Sequence, residues 1–208
     1  MTASCIRGPF PDHLTTNAKY KQAALTVNQC TTAMALLGRL TRKLLTGVAS
    51  SINVFDLHLG RQPVPTKLVP GPDATTCPHT VVMFKRLFVD ETWILDTTGC
   101  QYGYEDILVP FDRYIDEREC RNLAQPVSYD ATETEDLDYF ATLPFMNKFR
   151  TQRENMKRER RARLRFAEFV DANVSQDILQ GSNVDFDRSL DTLMSKLKMH
   201  MSTPSKRA

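Results

Sequence analysis

With 208 residues, 41% of them hydrophobic and 25% charged, the chain has a globular composition and enough length to bury a sizeable core, as one domain with an appendage. A formal net charge of +2 implies no nucleic-acid or membrane partner by itself, and no apolar run approaches the ~18 residues of a membrane span. The five cysteines, Cys5, Cys30, Cys77, Cys100 and Cys120, form no CxxC pair, which argues against a disulfide framework or a zinc finger and for a reducing compartment, cytoplasmic or nuclear.

The stretch MTASCIRGPFPDHL lacks the apolar centre of a signal peptide and reads as an irregular lead-in. A helix-compatible segment runs from about Thr15 to Leu25. The clearest helix of the front half follows in CTTAMALLGRLTRKLLTG, where Ala33, Met34, Leu36, Leu37, Leu40, Leu44 and Leu45 recur at helical period. Arg39, Arg42 and Lys43 load its C-terminal end, and Gly47 can stop it. This helix either continues the preceding one or starts afresh after a break at Val27 and Asn28, with Asn28 as its N-cap. SINVFDLHLG reads as a short strand, whereas RQPVPTKLVPGPDATTCP carries five prolines and predicts a loop or extended crossings. Two strands rich in valine, phenylalanine and isoleucine are expected at about Thr80 to Val89 and Thr92 to Asp96, turning at Asp90 and Glu91. A helix from about Pro110 to Asn122 opens with proline and acids in its first turns.

Composition then changes. Asp130, Glu133, Glu135, Asp136 and Asp138 make an acidic block, and KFRTQRENMKRERRARLR sets nine bases against two acids. From Arg150 to Arg163 the only apolar side chains are Met156 and Ala162, so a helix there is polar all round, bridging solvent or awaiting a partner. A last amphipathic helix places Leu190, Leu193, Met194 and Leu197 on one face. The expected architecture is α+β, with an N-terminal helix packed on a small antiparallel sheet over residues 1–122. An acidic linker over 123–143 and a charged helical extension over 144–208 complete it.

The chemistry centres on three residues. Cys30 falls in the first turn of the amphipathic helix, where unpaired N–H groups favour a thiolate and the apolar stripe below gives a rigid mount. His79, opening one strand, is a candidate base, and Asp96, closing the next, a candidate for holding its second N–H and so its tautomer. For His79 and Asp96 to stand directly opposite, the hairpin must turn near position 87.5, so a bulge or wide loop from Arg86 to Glu91 is required.

The order Cys30, then His79 49 positions later and Asp96 17 positions after that, resembles the transglutaminase-like and papain-like cysteine superfamily. HTVVMFKRLFVDETWILDTT, with His79, Trp93, Asp96 and Thr98, looks most like the transglutaminase type, and the resemblance spans about residues 25–120. It implies Cys30 as nucleophile on an amide or acyl carbonyl, His79 as general base and acid, Asp96 as orienter, and no cofactor. The cysteine lacks the aromatic neighbours of the family pattern. The oxyanion donor is unassigned among Gln22, Gln29 and Gln101.

Plainer readings compete. Cys30 can simply fill the core, His79 can be a satisfied strand end, and Asp96 has no case without His79. Cys77, His79 and Cys100 suit zinc in ligand type, but no fourth ligand is visible, and no metal is expected. Two functional expectations follow. The first is a cysteine-dependent acyl-transfer or amide-hydrolysing fold, active or degenerate, taking a protein or peptide substrate. The second is a non-catalytic interaction protein whose basic helix, through Arg158, Arg160, Arg161 and Arg163, binds a protein or nucleic-acid partner.

Overall fold

A computed structural model describes residues 13, 15–64, 78–121, 124–129, 138, 142–144, 147–175, 178 and 182–202. The lead-in, Cys5, Cys77, most of the proline-rich segment and most of the acidic linker lie outside them. Among the described residues the order is α1 (Ala18–Thr26), α2 (Cys30–Leu45), β1 (Ala49–Leu57), β2 (His79–Arg86), β3 (Thr92–Leu95), a 3-10 turn (Gly99–Tyr102), β4 (Leu108–Pro110), α3 (Phe111–Glu117), β5 (Val127–Ser128), α4 (Arg150–Asn173) and α5 (Asn183–Ser202). The fold is α+β. No described helix is long and apolar enough to cross a membrane.

The five strands form one antiparallel sheet in the order β4-β3-β2-β1-β5. Side-chain alternation gives it two apolar faces. On one, Phe55, Leu57, Val81, Ile94 and Val109 pack with Tyr114 of α3. On the other, Val82, Ile52, Val54 and Leu95 meet Ala33 and Met34 of α2 and Tyr129. The remaining leucines of α2, Leu36, Leu37, Leu40 and Leu44, face Phe166, Val170 and Val174 at the end of α4, with Leu193 and Leu197 of α5 against the same cluster. The broad apolar stripe of α2 is therefore two contact surfaces, one for the sheet and one for the C-terminal helices.

Several local expectations need correction. Asn28 does not cap α2: it takes a left-handed conformation with φ 56°, which asparagine tolerates better than most residues, and Gln29 occupies the cap position. Of the two alternatives, the break is the one observed: α1 ends at Thr26 and α2 starts at Cys30. Leu87, Phe88 and Val89 leave the strand, because the hairpin closes where Arg86 N–H donates to the Glu91 carbonyl, and Phe88 is left 89% exposed. The helix after Pro110 stops at Glu117 instead of continuing to Asn122. Glu119 has φ 49°, and Cys120 N–H reaches back to Ile115 O, so the chain turns sharply there.

The basic segment is also more anchored than a free polar helix. It continues to Asn173 and buries Phe166, Phe169 and Val170. Arg163 is buried between Asp138 (3.4 Å) and Glu159 (3.4 Å), so it cannot serve an external partner as the sequence reading assigned it. Arg160 is more exposed but pairs with the same Asp138 at 3.1 Å. Arg158 and Arg161 point outward.

Candidate active site

β2 and β3 place the imidazole and carboxylate. Lys85 faces Thr92 and Val82 faces Leu95, so the register sets Asp96 level with Val81, one diagonal step from His79 on the same face. Direct opposition, and the bulge it required, are therefore unnecessary. The diagonal suffices: His79 Nε2 lies 3.0 Å from Asp96 Oδ1, and both side chains are buried.

The Asp96 carboxylate accepts four hydrogen bonds. Oδ1 receives His79 Nε2 and, at 3.1 Å, the main-chain N–H of Thr98; Oδ2 receives Tyr114 Oη at 2.9 Å and Arg118 Nη1 at 2.6 Å. Such a set fills the lone pairs of a carboxylate and makes its ionised form tolerable in the interior. Burial pushes the Asp96 carboxyl up, but the imidazolium of His79 and the guanidinium of Arg118 outweigh it and hold the group down at about 2. Arg118 is only 2% exposed. Its guanidinium lies 3.9 Å from the Tyr114 ring centroid and 4.1 Å from that of Tyr104, and Nη2 donates to Asp106 O at 3.2 Å.

Gly99 is what lets this group close. A Cβ there would stand 2.6 Å from Asp96 Oδ2 and 3.2 Å from Arg118 Nη1. Tyr102, in the same 3-10 turn, presents its ring edge-on to His79 with centroids 5.0 Å apart, fixing the imidazole plane from a third side.

Cys30 completes the arrangement. It is the first residue of α2, whose N-terminus ends beside the start of β2, so its sulfur lies near His79 and the main-chain groups of Thr80 and Thr31. Burial pushes the thiol up, yet the imidazole of His79 and these main-chain donors outweigh it and bring Cys30 down to about 7. His79 moves the other way: burial lowers it, while Asp96 and then Cys30 raise it to about 9. The second ring nitrogen, Nδ1, is buried and forms no closed hydrogen bond among the described residues. Sulfur and imidazole are thus near enough to shift each other's titration without a locked contact. Cys120 is the opposite case, pushed up to about 11 by burial, as an inert core thiol should be.

Cys30, His79 and Asp96, separated along the chain, thus meet at one end of the sheet. The glutamines divide. Gln101 is buried and accepts Asn28 N–H at 2.9 Å, two residues before Cys30. Gln29 is exposed and turns back to Val27 O at 3.4 Å, and Gln22 lies exposed on α1. Among described residues no cluster of three metal-ligating side chains occurs; Cys100 sits instead against Thr26 Oγ1 at 3.3 Å. Tyr114, Arg118, Gly99 and Tyr102 were not singled out in the sequence. The i, i+4 spacing of Tyr114 and Arg118 was the one available signal. In comparisons with known proteins, no family model, no curated protein and no solved structure matches this chain.

Proposed function

We propose that the chain is a cysteine-dependent acyl-transfer or amide-hydrolysing protein of the transglutaminase-like and papain-like type, acting on a protein or peptide. The observation that carries the reading is a thiol at a helix start beside a buried imidazole whose far nitrogen is held by an ionised carboxylate. In the reacting state the Cys30 thiolate attacks the carbonyl carbon, a C–S bond forms, and the oxygen takes the negative charge. The Cys30 N–H is one of those the helix cannot use internally and can donate to that oxygen, and buried Gln101 braces the loop that presents it. The C–N bond then breaks, with His79 giving its proton to the departing amine. Water or an acceptor amine next loses a proton to His79 and attacks the thioester, and the sulfur leaves as thiolate.

An activated ester tests this. Incubation of the full chain with 4-nitrophenyl acetate should give a burst of nitrophenol and an acetyl group on the Cys30 peptide, absent from Cys30→Ser. Acetylation spread over lysines and unaffected by that substitution would contradict the reading.

A second reading keeps the fold and drops the chemistry, with α4 as a docking helix. It draws on the outward Arg158 and Arg161, which pair with no acid among the described residues. Their replacement would then abolish a strongly salt-dependent interaction.

A further inference from the structure

We propose that Arg118 is the positioning residue of this site: with Tyr114 it clamps the outer oxygen of Asp96, leaves the inner oxygen for His79, and makes the buried ionised group neutral overall. The inference rests on the proposed chemistry and extends it to a residue beyond the three that would react.

Geometry carries the argument. The two oxygens of Asp96 do different work. Oδ1 faces His79 and Thr98 N–H, whereas Oδ2 is occupied from the α3 side by Tyr114 Oη and Arg118 Nη1. With Oδ2 taken, the carboxylate cannot rotate about its Cβ–Cγ bond without breaking two buried bonds, so its lone pair stays aimed at the imidazole. Arg118 is itself held on several sides, stacked between Tyr104 and Tyr114 and tied to Asp106 O. Such a mount suits a part whose position matters more than its charge alone.

Charge gives the second line. Thiolate, imidazolium, carboxylate and guanidinium sum to zero, whereas the first three alone leave one negative charge in the interior, where uncompensated charge is expensive. Of the ionisable groups that interact with Asp96 and Arg118, Tyr114 and Cys120 are both raised, and Tyr104 is raised by its partial burial, so each stays neutral at physiological pH. The charged groups around them are Asp56, which accepts from Thr80 Oγ1 at 2.6 Å, and Arg61 and Glu119 near Tyr104. Without Arg118, buried Asp96 protonates more readily, the imidazolium loses its support, and the thiol regains its proton.

Asparagine at position 96 illustrates the consequence. Elsewhere a neutral amide can orient a histidine, but here Asp96→Asn would strand the buried guanidinium without its carboxylate. The compensated pair Asp96→Asn with Arg118→Met should therefore do better than Asp96→Asn alone.

The test follows the pH dependence of Cys30 attack on 2,2′-dithiodipyridine in the full chain, with Cys30→Ser subtracted to remove the other thiols. Wild type should titrate near 7. Arg118→Met should raise the midpoint by at least about one unit, a roughly tenfold loss of thiolate at acid pH, with the plateau at high pH kept. Arg118→Lys should recover part of the shift, and Tyr114→Phe should give a smaller rise of about threefold in the same sense. Were the two Arg118 variants to fail to fold, Tyr114→Phe would decide the matter. A folded variant set with unchanged midpoints, in a protein whose wild-type midpoint is depressed, overturns the clamp alone. An ordinary wild-type midpoint overturns the proposed chemistry and the clamp with it.

Discussion

Replacing His79 with glutamine removes the imidazolium while keeping a side-chain donor toward Asp96, and its effect on Cys30 can be worked through. With the thiol at about 7 instead of its ordinary 9.0, about one-tenth is ionised at pH 6, against about one-thousandth for an unassisted thiol. Lower basicity makes each thiolate less nucleophilic, by about tenfold over those two units. The net advantage of wild type at pH 6 is thus about tenfold in the rate of exchange with 2,2′-dithiodipyridine. Once the pH is high enough to ionise the unassisted thiol as well, the order inverts, with His79→Gln reacting faster by up to about tenfold. Crossing rate–pH curves are the expected signature, read by absorbance with a melting curve to establish folding. Parallel curves would refute the coupling of sulfur and imidazole.

The acid limb of stability should report Asp96. Its carboxyl is lowered from 3.8 to about 2, so its contribution is present above about pH 4 and lost as pH falls toward 2. Urea unfolding should show about 2 to 3 kcal/mol lost over that interval, and Asp96→Ala should flatten it. In the other direction, His79 is raised to about 9, so its contribution is complete below about 6.5 and disappears as pH rises through 9. Gly99→Ala drives a methyl group against Asp96 Oδ2 and should cost about 1 to 3 kcal/mol in unfolding experiments and slow Cys30 labelling severalfold at pH 6. Arg158→Ala and Arg161→Ala should change stability by less than about 0.5 kcal/mol, whereas Arg163→Ala, which removes a buried stem and its ion pairs, should cost on the order of 1 to 2 kcal/mol by the same assay.

The candidate trio was legible because each member sits at an element boundary that local patterns mark: a helix start at Cys30, a strand start at His79, a strand end at Asp96. Their precise juxtaposition was not. Direct opposition was expected across the hairpin, but the register set at Thr92 and Lys85 makes the contact diagonal. Arg118 illustrates a different gap. Within IDEREC it resembles any solvated cation, and only the sharp turn at Glu119 and the rings of Tyr104 and Tyr114 carry it inside. Arg163 was misread for the same reason: composition counts charges along the chain, while burial depends on where Asp138 is brought from. Phe166 and Val170 form an apolar end of α4, and nothing local in the sequence shows that their counterpart is the leucine face of α2.

That shared use of α2 joins distant parts of the chain mechanically. The helix that presents the sulfur is wedged between the sheet and α4, and Lys43 near its far end donates to the terminal carbonyls of α4 at Val170 and Asp171, both at 3.1 Å. A protein cut before Arg150 would leave four leucines wet and Cys30 on a loosened strut. Residues more than a hundred positions downstream are thus part of the foundation on which the Cys30 end of α2 stands.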